Sequence, residues 1–430
     1  MKKITLVSIL LFNVLNVIAQ NVIITSERQA YKEEIDKIST NKKVQIAFKI
    51  IKQLEPTTMK ELVELTEIPA PPFLEQKRAK RFMEMIQNAG IDSVWIDYAG
   101  NVLALRKGMK NGKTVLIEGH LDTVFPLETD VTVKAKGDTL FAPGIADDTR
   151  ALSVILTVVK AMNLAKISTE SDILFAGTVG EEGLGDLRGI KHLFKTANLK
   201  IDSHIALDGG DIGSLVTNGL GSIRYKITFN GPGGHSWGAF GLANPHHAMG
   251  KAIDYFDTAA SKFVSDGPKT TYNIGRIGGG TSVNSIPFET WMEVDMRSLS
   301  PDKLKGMEQI LLNQVNKALN DYNSGIKTGA KLTANFEKIG ERPTGLQKEE
   351  LPLIQKVKAV IEYFKLEPTL GTGSTNSNIP ISLGIPSITI GRGGKGGNAH
   401  SLDEWWINEN GAEAIKFALF ILIAEAGLVY

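Results

Sequence analysis

The sequence predicts an α/β fold in which a large domain with a mostly parallel mixed sheet carries an inserted two-layer α+β module. Three observations predict it. Short β-branched runs alternate with helical stretches between residues 114 and 207, the pattern of parallel strands joined by helices. From Gly221 the period changes, and apolar and polar residues alternate over 222–229, 272–277 and 290–297, as half-buried strands do. From about Glu349 the first pattern returns, so the large domain is assembled from both ends of the chain. A length of 430 residues accommodates two such units. The limits that follow are a signal peptide at 1–19, the large domain at 20–214 and 341–430, and the module at 215–340.

Taken in order, the opening residues MKKITLVSILLFNVLNVIAQ place two lysines before an apolar stretch that ends in Val17-Ile18-Ala19, residues suited to signal-peptidase cleavage. That stretch is roughly 15 residues long, interrupted by Asn13 and Asn16, and short for a membrane span. Cleavage near Ala19, a periplasmic or secreted product and no membrane insertion afterwards are expected. Helical spacing from Glu33 to Ala89 is broken at Pro69-Ala70-Pro71-Pro72. Strands at 114–117, 172–179 and 204–207 then interleave with helices at 151–162 and 190–196. In the module, helices at 245–261 and 301–322 alternate with the strands, and a closing strand is expected near 331–336.

The 48 Lys+Arg residues balance 47 Asp+Glu, with no run of like charge, which removes the electrostatic case for nucleic acid. The absence of cysteine excludes disulfides, thiolate nucleophiles, iron–sulfur clusters and cysteine zinc sites. Any metal must rest on histidine and carboxylates.

Such residues follow the apolar runs. His120 and Asp122 come after TVLIEG, Glu181 and Glu182 after ILFAGTVG, Asp208 after HIAL, and His400 after the run at 387–390 and a glycine-rich loop. Ligands of open α/β sheets gather beyond the carboxyl ends of the strands, so these clusters converge on one edge. In His120-Leu121-Asp122 the polar side chains share a face if the chain is extended, and Asp122 suits the part of orienting a ligand histidine. Asp148, before the helix at 151–162, reads as a helix cap. Asp147 reads as a carboxylate able to bridge two cations roughly 3.5–4 Å apart. The adjacent Glu181 and Glu182 diverge, so one can hold metal while the other takes a proton from water.

The segments GHLDTV, PGIADD, GEEG, LDGGD and NAHSLDEW, in this order, resemble the M20 family of co-catalytic zinc peptidases. GPGGHSW, VNSIP and EVDMRS in the inserted module resemble that family's lid and dimerisation domain. The resemblance implies a zinc-exopeptidase-like catalytic domain holding two Zn2+ per subunit, with other divalent metals as alternatives. It implies that His120 and Asp208 serve one metal, that Glu182 and His400 serve the other, and that Asp147 bridges them. By the same resemblance Glu181 is the general base, Asp122 orients His120 and His235 helps stabilise the tetrahedral oxyanion. Asn284 and Arg297 grip a substrate carboxylate, Ser374 and Thr375 contact substrate, and the lid pairs two chains into a homodimer.

Several positions depart from the commoner pattern. Thr149-Arg150 stands where Lys-Gly often follows the acidic pair, and Asn376 stands where Asp is frequent. Asp208 in place of Glu resembles the peptidase T-like and dipeptidase branches, whereas GHLDTVF and GDTLFAPGIADD resemble glutamate carboxypeptidases. The expected activity is hydrolysis of a terminal amide bond in short peptides, by a metal-bridging hydroxide with glutamate as general base. An amidase of N-acyl amino acids and a non-catalytic metal-dependent binding protein are the alternatives. His192 and His204 are expected to serve packing, His246-His247 to be ordinary helix-start residues, and Trp405 and Trp406 to pack beneath the His400 loop. The run Gly231-Pro232-Gly233-Gly234 lacks the Lys-Ser/Thr ending of a phosphate loop and suits a turn presenting His235.

Overall fold

Helical periodicity at the amino-terminal side becomes α1 (28–39), α2 (Lys42–Thr66) and α3 (Gln76–Asn88), with the break at the proline cluster. The computed structural model describes residues 28–91, 93–110 and 112–430, so the expected signal peptide lies outside the described residues. Asn41 caps α2 by accepting the Lys43 N–H at 2.9 Å. Then follow β1 (Ser93–Ile96), β2 (Val102–Arg106), β3 (Thr114–His120), β4 (Lys134–Lys136), β5 (Thr139–Phe141), α4 (Arg150–Leu164), β6 (Asp172–Thr178), α5 (Arg188–Lys195), β7 (Ser203–Gly209) and β8 (Ser214–Gly219).

The module contributes β9 (Gly221–Asn230), β10 (Gly234–His235), α6 (Pro245–Val264), β11 (Thr270–Gly279), β12 (Ser285–Ile286), β13 (Glu289–Ser298), α7 (Pro301–Ser324) and β14 (Thr333–Arg342). The chain returns through α8 (Pro352–Tyr363), β15 (Thr369–Gly373), α9 (Asn378–Ser382), β16 (Ser387–Gly391), β17 (Lys395–Gly397), β18 (Trp405–Ile407) and α10 (Gly411–Ala426).

The large sheet has eight strands in the order β1-β2-β6-β3-β7-β16-β8-β15. Its centre, β6-β3-β7-β16, is parallel throughout, while β1, β2 and the β16–β8 pairing are antiparallel. The carboxyl ends of β3, β6, β7 and β16 therefore open on one edge, where the sequence places His120, Glu181-Glu182, Asp208 and the His400 loop. Helices α2, α4 and α10 pack together beside this sheet. α10 is apolar on nearly every face and buried from Ala414 to Ala424, as a helix enclosed by protein must be. Among the described residues no helix is long and apolar enough to cross a membrane.

In the module, β11-β13-β9-β14 form an antiparallel sheet whose inward residues, among them Ile223, Tyr225, Ile227, Phe229, Met292, Val294 and Met296, meet α6 and α7. The expected boundary at 215 is corrected: β8 pairs with β15 and β16 in the large sheet, so the inserted strands run from Gly221 to Arg342. The sequence also gave no sign of the small sheet β17-β18-β5-β4. Its strands are three residues each, and KAK and KGG carry no apolar alternation.

Candidate metal centre

The four central strands deliver two imidazoles and a set of carboxylates to the same edge. His120, the last residue of β3, is buried, and its Nε2 lies 3.2 Å from Asp147 Oδ1 and 3.9 Å from Asp208 Oδ1. His400 Nε2 lies 3.2 Å from Asp147 Oδ2 and 2.9 Å from Glu182 Oε1. Asp147 thus turns one oxygen to each imidazole. Two sets able to hold a cation result, His120–Asp147–Asp208 with Asp148, and Asp147–Glu182–His400, with the ligand atoms of each set within 4.8 Å of one another. His400 reaches its place from a backbone φ of 64°, a left-handed conformation uncommon outside glycine.

Electrostatics fit cations here. Burial, with Asp147 close by, pushes Asp208 up to about 7, and burial holds Asp148 well above the ordinary carboxylate range. For His120, burial favours the neutral ring, but Asp148, Asp147 and Asp208 outweigh it and the group is raised. Hydrogen bonds to Asp147 and Glu182 raise His400 to about 10. Carboxylates crowded with imidazoles in a water-poor pocket are a donor set for zinc or a similar divalent ion, and no thiolate biases the choice.

Glu181 shares a third grouping with His120 and Glu182 while standing apart from the two that contain Asp147. Arg342, at the end of β14, donates to Glu181 Oε1 at 2.9 Å and to the Glu181 carbonyl. Burial pushes the Glu181 carboxyl well above its usual range, and Arg342 opposes that shift. Glu181 Oε2 makes no hydrogen bond among the described residues and remains available to a water.

Asp122 supports the site differently from expectation. His120 Nδ1 lies 2.9 Å from the Asp122 main-chain carbonyl and 3.7 Å from its carboxylate. The carboxylate instead accepts the N–H groups of Glu181 and Glu182 at 3.0 and 2.8 Å, fixing the turn on which base and ligand diverge. The capping role expected of Asp148 is also corrected. Its Oδ2 accepts the His120 N–H at 3.0 Å, and α4 begins after Thr149 with no side-chain cap. The chain turns between the two acids through a cis peptide, and Thr149 donates its hydroxyl to the Gly144 carbonyl at 2.7 Å.

Sequence reasoning missed three residues that build this centre. Glu404, fully buried, accepts the N–H groups of Gly144 and Ala146 at 2.8 Å and of Asp147 at 3.0 Å. Arg392, directly after β16, lies among Asp147, Asp148 and Asp208. Arg342 braces the base. Glu404 within NAHSLDEW and Arg392 at a strand's carboxyl end carried a positional signal, whereas Arg342 meets Glu181 from 161 residues away and carried none.

The remaining candidates stand apart from the cluster. His235 pairs in register with Ser285, beside Asn284, and its Nδ1 accepts the N–H groups of Trp237 and Gly238 at 3.2 and 3.3 Å. The Asn284 carbonyl accepts the Ser236 N–H at 2.9 Å. Arg297 Nε donates to Asp295 at 2.7 Å, and Asp295 also accepts from Arg224, which in turn reaches the Gly183 carbonyl at 3.0 Å. His235, Asn284 and Arg297 make no bond to the ligand cluster among the described residues. Ser374 accepts from Arg342 through its carbonyl and hydroxyl at 3.1 and 3.3 Å. Thr375 is buried with its hydroxyl 2.8 Å from that of Thr389, so its side chain faces the interior rather than a substrate.

Asn376 donates to the buried Glu118, which His204 Nε2 approaches at 3.3 Å. His204 therefore belongs to a buried network, as the packing reading expects. Trp406 is buried and donates its indole N–H to the Gly393 carbonyl at 3.0 Å, in the loop that leads to His400.

The family model described as Peptidase family M20/M25/M40 matches residues 116–423. The YqjE protein of Bacillus subtilis (strain 168) is 25% identical over 360 residues, covering 79% of this chain and 91% of that protein. The N-acetylcysteine deacetylase of the same strain is 25% identical over 252 residues, 56% of this chain and 64% of that protein. Among solved structures, aminopeptidase PepT from Bacillus cereus ATCC 10987 has a TM-score of 0.65 at 21% identity, covering 85% of this chain and 97% of its own. The di-peptidase Dug1p from Saccharomyces cerevisiae has a TM-score of 0.71 at 15% identity, covering 89% and 98%. These structures share the fold of the large domain with its inserted module. The family match runs from β3 through the module into α10, taking in every proposed ligand, and the chain belongs to peptidase family M20/M25/M40, a family of hydrolases.

Proposed function

We propose that the protein is a metal-dependent exopeptidase that hydrolyses a terminal amide bond of short peptides. The observation that carries this reading is Asp147, whose two oxygens face two different imidazoles while Glu181 stands near both halves and outside both Asp147 sets. His120 and Asp208 would hold one ion, Glu182 and His400 the other, with Asp147 shared, and zinc suits these donors. Divalent ions held there would supply Lewis acidity, lowering the pKa of a bound water and polarising the scissile carbonyl.

The chain's own groups do the rest. Glu181 takes the proton of the attacking water through Oε2 and returns it to the leaving amine, a cycle that a carboxyl raised by burial can complete. Asp122 keeps Glu181 and Glu182 divergent, so the base does not collapse onto the ligand side. His235 is assigned the oxyanion, and Arg297 with Asn284 a free substrate carboxylate, for which an arginine fork is suited. Those three roles need the module to bring its surface over the centre.

The second reading is an amidase of N-acyl amino acids, favoured by the likeness to an N-acetylcysteine deacetylase. Both readings use the same centre. Incubating the zinc-loaded protein with a dipeptide and tripeptide library, and with N-acyl amino acids at equal concentration, separates them when products are read by mass spectrometry. Release of terminal residues from peptides at the higher kcat/KM supports the exopeptidase; preferential release of an acyl group from the amino acids overturns it. We also place the protein outside the cytoplasm on the strength of residues 1–19, and amino-terminal sequencing of the mature protein tests this. A start near Gln20 is expected; an intact Met1 would contradict it.

A further inference from the structure

Arg392 sets the His120 half of the candidate centre apart from the His400 half. Arg392 extends from the end of β16 into the acidic pocket and lies 3.0 Å from Asp208 Oδ1, 3.0 Å from Asp148 Oδ1 and 3.4 Å from Asp147 Oδ1. Asp147 Oδ1 and Asp208 Oδ1 also face the His120 side, 3.2 and 3.9 Å from His120 Nε2, while Asp148 turns Oδ1 to Arg392 and Oδ2 to His120. On the other side, Asp147 Oδ2 and Glu182 Oε1 meet His400, with no lysine or arginine bonded to either among the described residues.

The main chain of Arg392 is held in place from behind. Arg150, fully buried, donates to the Arg392 carbonyl at 3.3 Å and to the Gly411 carbonyl at 3.1 Å, and lies 4.9 Å from the Trp406 ring centroid. Arg150 is one of the two residues standing where Lys-Gly is commoner, so this departure near the proposed ligands connects to Arg392.

We propose that Arg392 makes the two metal positions unequal, competing with the cation for Asp208 and Asp147 so that the His120 position fills second and more weakly than the His400 position. The inference rests on the two-metal reading above. Its physical basis is that a guanidinium stays charged at every accessible pH and draws on the same oxygen lone pairs as the metal, in a pocket too dry to screen the two positive charges from one another.

The test is a titration of the metal-free full chain with Zn2+ against a chromophoric chelator, with bound metal counted by native mass spectrometry. The wild type is expected to show two binding classes whose dissociation constants differ by at least about tenfold. His400→Ala should remove the tighter class and His120→Ala the weaker. Arg392→Met should tighten the weaker class by at least about tenfold and change the tighter one by less than about threefold, whereas Arg392→Lys, keeping the charge, should preserve the gap. Equal dissociation constants in the wild type, or a weaker class that loosens or stays unchanged in Arg392→Met, would overturn the proposal. Should the Met variant fail to fold, Arg392→Gln replaces it under the same criteria, and the wild-type and histidine measurements still decide whether the classes differ in the stated order. A wild type that binds no zinc would overturn the two-metal reading itself and this proposal with it; two bound zincs without the Arg392 effect would overturn this proposal alone.

Discussion

The edge of the large sheet that carries the candidate metal centre and the inserted module hold their candidate side chains in opposite ways. On the edge the bracing comes from distant parts of the chain: Glu404 reaches the Asp147 loop from 257 residues away, and Arg342 reaches Glu181 from 161. In the module, His235 is held by Trp237 and Gly238, Asn284 by Ser282, and Arg297 by Asp295, all within three residues. The edge is mostly buried, with His400 its exposed member, and its charges are mutually dependent; the module surface is open, with Trp237 at 88% exposure. The difference teaches that the candidate metal centre depends on contacts between distant parts of the chain, whereas the residues proposed to meet substrate rest on local ones.

The strongest way to break that comparison is at Asp147. Asp147→Ala removes the carboxylate common to both ligand sets and is expected to abolish hydrolysis and reduce bound zinc to below one ion per chain, read by elemental analysis. Retention of two zincs would show that Asp147 is not shared. Next comes Glu404→Gln, which leaves the ligands in place but weakens the acceptor for the Gly144, Ala146 and Asp147 N–H groups. Disturbing such supporting bonds typically costs about 10–100-fold in metal affinity, and a chelator competition assay should find a loss in that range.

In the module the expected effects are smaller and of another kind. Arg297→Ala should raise KM by about tenfold, equivalent to roughly 1.4 kcal/mol, with zinc content unchanged. Its ion pair with Asp295 is partly exposed, and such pairs contribute about 0–1 kcal/mol, so the thermal midpoint should scarcely move. A loss of bound zinc in this variant would merge the two regions that the comparison separates.

The last effect is graded with pH. In the metal-free protein, hydrogen bonds to Asp147 and Glu182 raise His400 from its ordinary 6.5 to about 10. The protonated ring therefore stabilises the metal-free fold fully below about 6.5, and that contribution fades as pH rises through about 10. A metal must displace that proton, so zinc affinity should increase from pH 6.5 towards 10. Calorimetry in buffers of different ionisation enthalpy should register proton release at pH 7, and release of none would remove His400 from the ligand set.

Much of the edge was legible because strand and ligand are adjacent in sequence: an apolar run followed at once by His120, by Glu181-Glu182 or by Asp208 states both the element and its cargo. The module's strands were legible through alternation, and the spans expected at 222–229 and 290–297 lie within β9 and β13. What stayed hidden depends on long-range approach. Arg342 lies beyond the closing strand expected near 331–336, and only β14 folded against β9 brings its guanidinium to Glu181. Asp148 sits where a cap belongs, and only the folded chain shows its carboxylate turned to His120 and Arg392. Thr375 is expected to contact substrate, yet its hydroxyl lies against that of Thr389.

The proposed division of labour has Glu181 moving the proton while its neighbour Glu182 holds metal. Glu181→Gln tests it most directly, with hydrolysis and zinc content measured on the same preparation. The expected result is a rate lower by about 10²–10⁴-fold with both zincs still bound. Full turnover with both metals in place would contradict the claim.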